Sequence, residues 1–345
     1  MDYVGITNVL SNKFPSRLVT VDSHTAGEPT RLIVGGIGPV PGENMEQKRL
    51  YCMENLDHIR LQLTREPRGH RDMVAALVTE PTSKSADFGL IYMDARRYPY
   101  LCGHATIGAV TTLIDSGVLK ARDPKTAVLV DTPSGPMEAI AHIKNGKVDS
   151  VAIRIVPSFV YGTNESLDVP DLGRILADTV CVGGFFAMVS SDQIGLDLVP
   201  ENSPKLIELG MTIIEVANQQ LRVRHPTRPE VNTVDVAEFY DPSGHAQGRG
   251  KNVVIYGEAH MDRSPCGTGT AAKMTLLHRR GQMDINRPFR NFSPLESAFD
   301  ARIVGETKIG DLDGVIVEIR GSAHITGIHE FILDPQDPFP KGFLI

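Results

Sequence analysis

Two cysteines stand in matching surroundings about half a chain apart. Cys102 opens the segment Cys-Gly-His-Ala-Thr-Ile-Gly-Ala, and Cys266 opens Cys-Gly-Thr-Gly-Thr-Ala-Ala-Lys, so both fit Cys-Gly-x-small-Thr-x-small. Each segment follows a strand-like run and leads into an apolar stretch that ends at a glycine, Gly117 or Gly281. Such stretches are typical of helices. The pattern therefore predicts one cysteine at the start of each of two helices.

A cysteine at the start of a helix has unusual chemistry. It lies at the positive end of the helix dipole, beside backbone N–H groups that have no partner within the helix. Both features stabilise a thiolate, so we expect each thiol to act as a base near neutral pH. Gly103 and Gly267 leave the adjacent backbone open, and the same N–H groups can then hold a small anion such as a carboxylate. Each motif predicts a base beside an anion site.

Two such motifs facing each other across a cleft would invert an α-carbon. A thiolate on one face removes the α-proton, and a thiol on the other face delivers a proton. The substrate carboxylate gains negative charge in this step, and helix-end N–H donors aimed at it stabilise that charge. No carbonyl cofactor is needed. We therefore predict a cofactor-independent amino-acid racemase or epimerase in which Cys102 and Cys266 are catalytic.

Other sites for cofactors and metals are poorly supported. The surroundings of Cys52 and Cys181 are those of thiols packed in a core, and no CxxC pair or metal-ligand spacing exists. The stretch Gly267-x-Gly269 lacks both the lysine of a phosphate-binding loop and the spacing of a dinucleotide-binding motif. The histidines form no His-x-x-x-His pair, and residues such as His260 are interpreted as structural. We predict no cofactor and no metal.

Two polar residues close to the cysteines are open to two interpretations. His104 lies two residues after Cys102, where it either contacts the substrate or holds the charge state of the thiol. Asp262 lies four residues before Cys266. An aspartate there is either a turn residue or the partner of a substrate ammonium.

The composition of the chain limits the classes of molecule that we expect it to bind. The 345 residues, 41% hydrophobic and 22% charged, favour a globular enzyme of about two domains. The net charge is −7 and no Lys/Arg run exceeds a pair, which argues against a nucleic-acid partner. No apolar stretch approaches 18 residues, and Met1–Val19 has no signal-peptide pattern. We expect a cytoplasmic protein with a small-molecule substrate and no membrane partner.

The elements that must position the cysteines are mostly strands. Ser203-Pro204 predicts a helix start, with Ser203 as N-cap. The two cysteines are 164 residues apart, and the repeat predicts duplicated lobes: residues 1–178, residues 179–320, and a C-terminal segment, 321–345, that returns to the first lobe. The mixture predicts an α+β chain. The predicted strands are Arg17–Val21, Arg31–Val34, Phe88–Met93, Ala127–Val130, Ser150–Val156, Val253–Tyr256 and Gly314–Glu318.

Several blocks of the sequence resemble the proline racemase family, which includes 4-hydroxyproline 2-epimerases and trans-3-hydroxyproline dehydratases. The resemblance runs nearly end to end, and the block around Cys266 is the most specific. The first motif departs slightly from the family pattern, with Leu101 in place of Met and Ala105 in place of Gly or Asn, changes that we do not expect to alter the reaction. The matching blocks are Val21–Pro29, Glu66–Met73, Leu101–Gly108, Asp262–Thr270 and Gly321–Gly327.

The resemblance implies a fold and a set of binding residues. The fold is diaminopimelate-epimerase-like, with two pseudo-symmetric lobes, each a sheet wrapped around a central helix, and an active site in the cleft between them. A homodimer is the usual assembly. The substrate-binding residues that the resemblance implies are Gly103, His104, Asp262, Gly267 and Thr268.

The resemblance also bears on the substrate. Dehydratases of the family typically carry Thr in place of the second cysteine, so Cys266 favours a racemase or epimerase. Racemases place an aromatic residue ten positions before that cysteine, and Tyr256 fits this. Two features favour a hydroxylated substrate instead. Racemases of the family also place a phenylalanine where this chain has the smaller Val74, so the pocket is wider here. The hydroxyl of Tyr256 could also hydrogen-bond to a hydroxyl on the substrate ring. We predict a proline racemase; the alternative is a 4- or 3-hydroxyproline 2-epimerase, and a trans-3-hydroxyproline dehydratase ranks last.

Overall fold

The computed structural model describes residues 3–14, 16–257 and 259–345. The α-helices in these ranges are α1 (Tyr3–Lys13), α2 (Met45–Asn55), α3 (Asp57–Thr64), α4 (Gly103–Asp115), α5 (Ser203–Gln220) and α6 (Gly267–Arg279). The strands are β1 (Arg17–Thr25), β2 (Glu28–Gly35), β3 (Val74–Thr79), β4 (Phe88–Asp94), β5 (Lys125–Asp131), β6 (Met137–Lys144), β7 (Lys147–Arg154), β8 (Ser158–Val169), β9 (Gly173–Val182), β10 (Gly184–Ser190), β11 (Val234–Asp241), β12 (Arg249–Tyr256), β13 (His260–Met261), β14 (Phe289–Phe292), β15 (Ala298–Ile309), β16 (Leu312–Gly321) and β17 (Ala323–Ile332).

The strands follow the same pairing order twice. In the first sheet β1 pairs with β2, β2 with β3, β3 with β4, β4 with β5, β5 with β6 and β6 with β7. In the second sheet β9 to β12 and β14 to β16 pair in the same succession. The parallel pairs also correspond, since β2–β3 and β4–β5 match β10–β11 and β12–β14. The chain is therefore built from two lobes of related topology.

Each sheet wraps around one central helix. α4 contacts β1, β2, β3, β6, β7 and β17, and α6 contacts β8, β9, β12, β15 and β16. Every residue of α4 except Asp115 is buried. A helix that is apolar on all sides requires such an enclosure, since no face of it is suited to water. Gly117 and Gly281 follow the two helices with φ of 78° and 69°, a left-handed conformation that ends a helix readily.

Helices α2, α3 and α5 cover the outer faces of the sheets. α2 and α3 pack on β3 and β4, where Leu63 and Ile91 belong to a separate apolar cluster. α5 packs on β10 to β12, and Leu206 and Ile213 face the sheet. Gly210 lies between these two residues, so close to the sheet that a Cβ on it would be 2.7 Å from Ile255 Cβ. The glycine permits the close approach of α5 to β12.

Substituting Gly210 by Ala is expected to destabilise the second lobe. The added methyl group overpacks against Ile255, at a cost of about 1–3 kcal/mol that exceeds the gain in helix propensity. The loss of stability is measured as a fall in Tm, with thermal unfolding monitored by circular dichroism. Glu208→Ala, on the exposed side of the same helix, is the control and should leave the Tm nearly unchanged. An equal or higher Tm for Gly210→Ala would contradict the packing described here.

The α+β class and the two-lobed architecture predicted from sequence are confirmed, and all seven predicted strands are present. One of them ends earlier than predicted, since β7 stops at Arg154. The predicted N-cap is displaced by one residue: Asn202 precedes α5, and the hydroxyl of Ser203 donates to the Pro200 carbonyl. None of the helices in the described ranges has the length and hydropathy needed to cross a lipid bilayer.

The lobe boundary near residue 178 and the return of segment 321–345 stay predictions. β8 precedes that boundary, yet it pairs with β9 and packs on α6. After the second lobe, β17 pairs antiparallel with β1 of the first sheet, and Phe343 forms a bridge with Glu66. β7 and β16 pair with each other and join the two sheets.

Candidate active site

Cys102 is the N-cap residue of α4, as the sequence predicts. Its backbone is extended, with φ −146° and ψ 106°, and its side chain is half-buried. The Sγ atom lies 3.4 Å from His104 Nδ1. The carbonyl of Cys102 accepts hydrogen bonds from the N–H and the hydroxyl of Thr106, so this threonine closes the first turn of α4. In the second motif the N–H of Thr270 donates to the Cys266 carbonyl and its hydroxyl donates to the Pro265 carbonyl.

Cys266 is the N-cap residue of α6, but its backbone differs from that of Cys102. Its φ of 55° is in the left-handed region, which non-glycine residues adopt at a cost of about 1–3 kcal/mol and mainly at functional sites. The N–H of Gly269 donates to Sγ at 3.3 Å, and Thr268 Oγ1 lies 3.4 Å from Sγ. The thiol is 7% exposed. The second cysteine is thus the more firmly held of the two.

The two helix starts meet at the boundary between the lobes. A Cβ built on Gly103 would lie 3.8 Å from the Gly267 Cα, and the reverse distance is also 3.8 Å. The backbones of the two motifs are therefore separated by little more than one van der Waals contact. Within the described chain, the N–H groups of Gly103, His104, Gly267 and Thr268 donate to no protein acceptor. These four donors, two from each lobe, converge at the junction and are suited to a carboxylate.

The prediction that the helix starts lower the pKa of both thiols is wrong for this structure. Burial raises the pKa of Cys102 above its usual value, and the charges of Asp262 and Glu28 raise it further. Burial also raises the pKa of Cys266, with Asp262 adding to the effect and the Thr268 and Gly269 hydrogen bonds opposing it. Desolvation disfavours the thiolate more than the helix-end donors favour it.

His104 and Asp262 lie close to the cysteines. Burial lowers the pKa of His104 to about 4, against the opposing charge of Asp262, so the imidazole is neutral at pH 7. Burial raises the pKa of Asp262, and Glu28 adds to this. Asp262 accepts hydrogen bonds from the N–H and hydroxyl of Ser264, whose oxygen in turn accepts from the N–H of Cys266. Asp262 is therefore a turn residue and also a buried acid next to the second cysteine.

Tyr256 and Val74 contact the same apolar core as both cysteines. Val74 begins β3 and is buried, and Tyr256 ends β12. The Tyr256 ring stacks on His260 with centroids 4.3 Å apart, and its hydroxyl lies 3.0 Å from His260 Nε2. The hydroxyl of Tyr256 is thus engaged with a neighbouring side chain. His260, which the sequence suggested to be structural, forms part of the wall around Tyr256.

A buried ionic network that sequence reasoning missed borders this wall. Glu28 Oε1 lies 2.9 Å from His260 Nε2, and Glu28 Oε2 accepts from the N–H of Arg263 at 2.7 Å. The Arg263 guanidinium donates to Asp72 at 2.5 Å. Burial lowers the pKa of His260, but the facing carboxylates, Glu28 first, raise it on balance. The signal for this network was present, because Glu28 and Asp72 stand in two of the blocks that carry the family resemblance.

Comparison with known proteins agrees with this geometry. The family model described as "Proline racemase" matches residues 20–344. A proline racemase of Clostridioides difficile is 41% identical over 333 residues, covering 96% of this chain and 99% of the relative. A 4-hydroxyproline 2-epimerase of Streptosporangium roseum is 36% identical, covering 94% of this chain and 97% of the relative.

A solved structure shows the same fold. The crystal structure of a hydroxyproline epimerase from Agrobacterium vitis, with bound trans-4-hydroxy-L-proline, superposes with a TM-score of 0.88 at 30% identity, covering 96% of each chain. The match extends over both lobes and both cysteine motifs of this chain, and the family model spans all but its termini. The chain belongs to the proline racemase family.

Proposed function

We propose that this protein is a cofactor-independent proline racemase in which Cys102 and Cys266 are the acid and base. The observation that carries the proposal is the junction of the two motifs, where Gly103 and Gly267 bring the two cysteine-bearing helix starts together. An α-carbon held at this junction has one thiol on each face. Sequence relatives named proline racemase, at about two-fifths identity over nearly the whole chain, support the same activity.

The carboxylate of the substrate binds between the two helix starts. The N–H groups of Gly103, His104, Gly267 and Thr268 are oriented as donors there, because the first turn of a helix leaves its N–H groups without partners. The ring ammonium pairs with Asp262. Neutral His104 lies against Cys102, with its Nδ1 3.4 Å from Sγ.

The reaction is a proton exchange across one carbon. The thiolate of one cysteine takes the α-proton, and the electron pair left on the α-carbon delocalises into the carboxylate, where four N–H donors stabilise it. The thiol of the other cysteine then protonates the opposite face. The enzyme ends with its proton on the other cysteine, and atoms and charge balance. Binding assists ionisation, since the substrate ammonium offsets the Asp262 charge that raises the pKa of Cys266.

The aromatic residue Tyr256 favours a plain pyrrolidine ring. The Tyr256 ring stacks on His260, and its hydroxyl lies 3.0 Å from His260 Nε2, so these contacts hold the aromatic ring in place. Cys266 supplies the returning proton that a dehydratase would lack. These features favour racemisation of proline.

A second candidate is 4-hydroxyproline 2-epimerisation, and one observation favours it. Asp72 Oδ1 is buried and has no hydrogen-bond partner among the described residues, and His260 Nδ1 lies 3.9 Å from it. A buried acceptor without a donor is costly, and a ring hydroxyl is one group that would satisfy it. Val74, two residues after Asp72, is smaller than the phenylalanine of family racemases and leaves room on this side of the pocket.

The experiment is α-hydrogen exchange in deuterated water. L-proline and trans-4-hydroxy-L-proline are incubated in parallel, with NMR recording loss of the α-proton and optical rotation recording inversion. We expect faster exchange and racemisation of proline. Exchange of hydroxyproline alone would establish the second candidate, and exchange of neither would overturn both.

We also propose that the protein is a cytoplasmic homodimer. β17 supports an interface, because it lies at the edge of the first sheet and exposes Ile325 and Ile328, the latter by 78%. A second copy of the chain that covers this apolar edge strand would protect it from unspecific association. Light scattering during gel filtration measures the mass, and a monomer would contradict this part of the proposal.

A further inference from the structure

A cluster of buried polar residues lies behind the start of α6, away from the proposed reacting atoms. Glu238 comes from β11, Asn252 from β12, Lys273 from α6 and Asn291 from β14, and none of these side chains is more than 1% exposed. Ionisable groups are rarely buried so completely unless they are paired. The cluster therefore requires an explanation beyond packing.

The cluster is connected by hydrogen bonds and reaches the backbone that carries Cys266. Asn252 Nδ2 donates to Glu238 Oε1 at 2.9 Å, and Lys273 Nζ, 3.8 Å from the same oxygen, donates to Asn291 Oδ1 at 2.9 Å. Asn291 Nδ2 is 3.2 Å from the Pro265 carbonyl, the peptide oxygen directly before Cys266. It also lies 2.8 Å from the hydroxyl of Thr270, in the first turn of α6. These contacts hold the segment in which Cys266 has its strained conformation.

The negative end of the cluster faces the thiol. Glu238 Oε2 has no hydrogen-bond partner in the described chain, and it would lie 3.0 Å from a Cβ built on Gly269. The N–H of Gly269 donates to Cys266 Sγ. The carboxylate therefore abuts the turn that contacts the thiol, whereas Lys273 Nζ donates to the Lys251 carbonyl as well as to Asn291. A carboxylate in this place disfavours a second negative charge on Cys266.

In the described part of the first lobe, the position of α4 that corresponds to Lys273 carries no charge. Ala109 stands seven residues after Cys102, as Lys273 stands seven residues after Cys266. The first turn of α4 is supported by a neutral pair instead, with the Tyr92 hydroxyl 2.6 Å from that of Thr106. The two cysteines thus have equivalent places in the fold but different electrostatic surroundings.

We propose that Glu238 and Lys273, linked through Asn252 and Asn291, form a positioning unit that holds Cys266 and keeps its thiol protonated in the free enzyme, so that Cys102 is the resting base. This inference rests on the proposed two-thiol function and deepens it. The two protonation forms of the enzyme, with the proton on either cysteine, are then unequal in population.

The charges around the unit are consistent with this role near neutral pH. Burial raises the pKa of Glu238 to about 7, against the opposing effects of Lys273 and Asn252. Burial lowers the pKa of Lys273 to about 8, against the charges of Glu238 and Asp241. The other titratable groups that face the unit are Tyr240, His245 and Cys266. Midway between these two values, the charged forms of Glu238 and of Lys273 both predominate.

The test is selective alkylation without substrate. The full-length protein is treated with iodoacetamide from pH 6.5 to 9.5, and peptide mass spectrometry gives the alkylation rate of each cysteine. In Glu238→Gln the side chain keeps its shape and loses its charge. We expect the rate at Cys266, relative to Cys102, to rise about tenfold at pH 7.5, which corresponds to a fall of about one unit in its pKa.

Two further variants keep the result interpretable. Lys273→Met leaves Glu238 buried without a cation, so the carboxyl takes up a proton, and the same direction of change is expected. Glu306→Gln, an exposed glutamate of β15 in the same lobe, should leave the ratio unchanged. Buried Cys52 and Cys181 must stay unmodified, since their reaction would report unfolding.

The inference would be overturned if the ratio of the alkylation rates of Cys266 and Cys102 were unchanged in both Glu238→Gln and Lys273→Met. Equal acceleration of alkylation at the two cysteines would overturn it as well. Neither result depends on turnover of proline. Failure of the proposed function would instead show in the exchange experiment, where substrate is present and no alkylating agent is used.

Discussion

Replacing either proposed catalytic cysteine by serine is expected to lower racemisation by about 10²–10⁴-fold, the usual contribution of a positioned acid or base. Serine has the size of cysteine but a far less acidic hydroxyl, so it neither takes nor gives the α-proton. Each variant retains one thiol, on one face. Cys102→Ser and Cys266→Ser should therefore still exchange the α-hydrogen of one enantiomer each, and of opposite enantiomers.

The measurement is deuterium incorporation into L- and D-proline in separate tubes, alongside polarimetry. Cys52→Ala and Cys181→Ala are the controls, because both thiols are 1% exposed and lie in apolar clusters away from the junction of the motifs. They should reduce stability and leave racemisation nearly intact. Full racemisation by either serine variant would rule out the two-thiol mechanism.

Replacing Asp262 by asparagine is expected to change two observables in opposite directions. Asparagine still accepts the N–H of Ser264, so the turn persists, but the charge that holds the substrate ammonium is lost. A hydrogen bond to a charged group contributes about 1.5–3 kcal/mol, so we expect kcat/KM to fall roughly 10–150-fold. The Asp262 charge also raises the pKa of both thiols, so removing it increases the thiolate fraction at a given pH. Alkylation of Cys102 and Cys266 should accelerate.

Peptide mapping after iodoacetamide treatment at pH 8 measures the second effect. A loosened fold would also accelerate alkylation, but it would expose Cys52 and Cys181, which should remain unmodified. Asp313→Asn, an exposed aspartate in a surface ion pair, serves as the matched substitution and should change neither observable. Slower alkylation in Asp262→Asn would contradict the electrostatic role described here.

The helix starts were predictable because their signals are local. Each motif contains the cysteine, the adjacent glycine and the threonine that closes the first turn, all within five residues. The apolar stretch that follows requires a buried helix, and the repeat at a distance of 164 residues predicts the second lobe. Local patterns of this kind survive folding unchanged, so sequence reasoning captures them.

Contacts between distant segments were not predictable in the same way. Glu28 and His260 are 232 residues apart, and nothing in either segment indicates that they meet. The Glu238–Lys273 pair likewise depends on how β11 lies against α6. Burial is also a property of the whole fold, which is why the thiol pKa values rise where the helix-end argument alone predicts that they fall.

The contact between Gly103 and Gly267 affects which substitutions the protein can accumulate during evolution without a change in the distance between the two cysteines. The main chains of the two lobes approach each other directly at this point, with Ile155 beside both glycines. Substitutions in the surrounding core change side-chain volumes and shift helices slightly, but they do not insert atoms between the two glycines. The separation of the cysteines is therefore buffered against core mutations. Relatives with altered interiors should keep the same spacing between their two reacting groups, provided that both glycines remain.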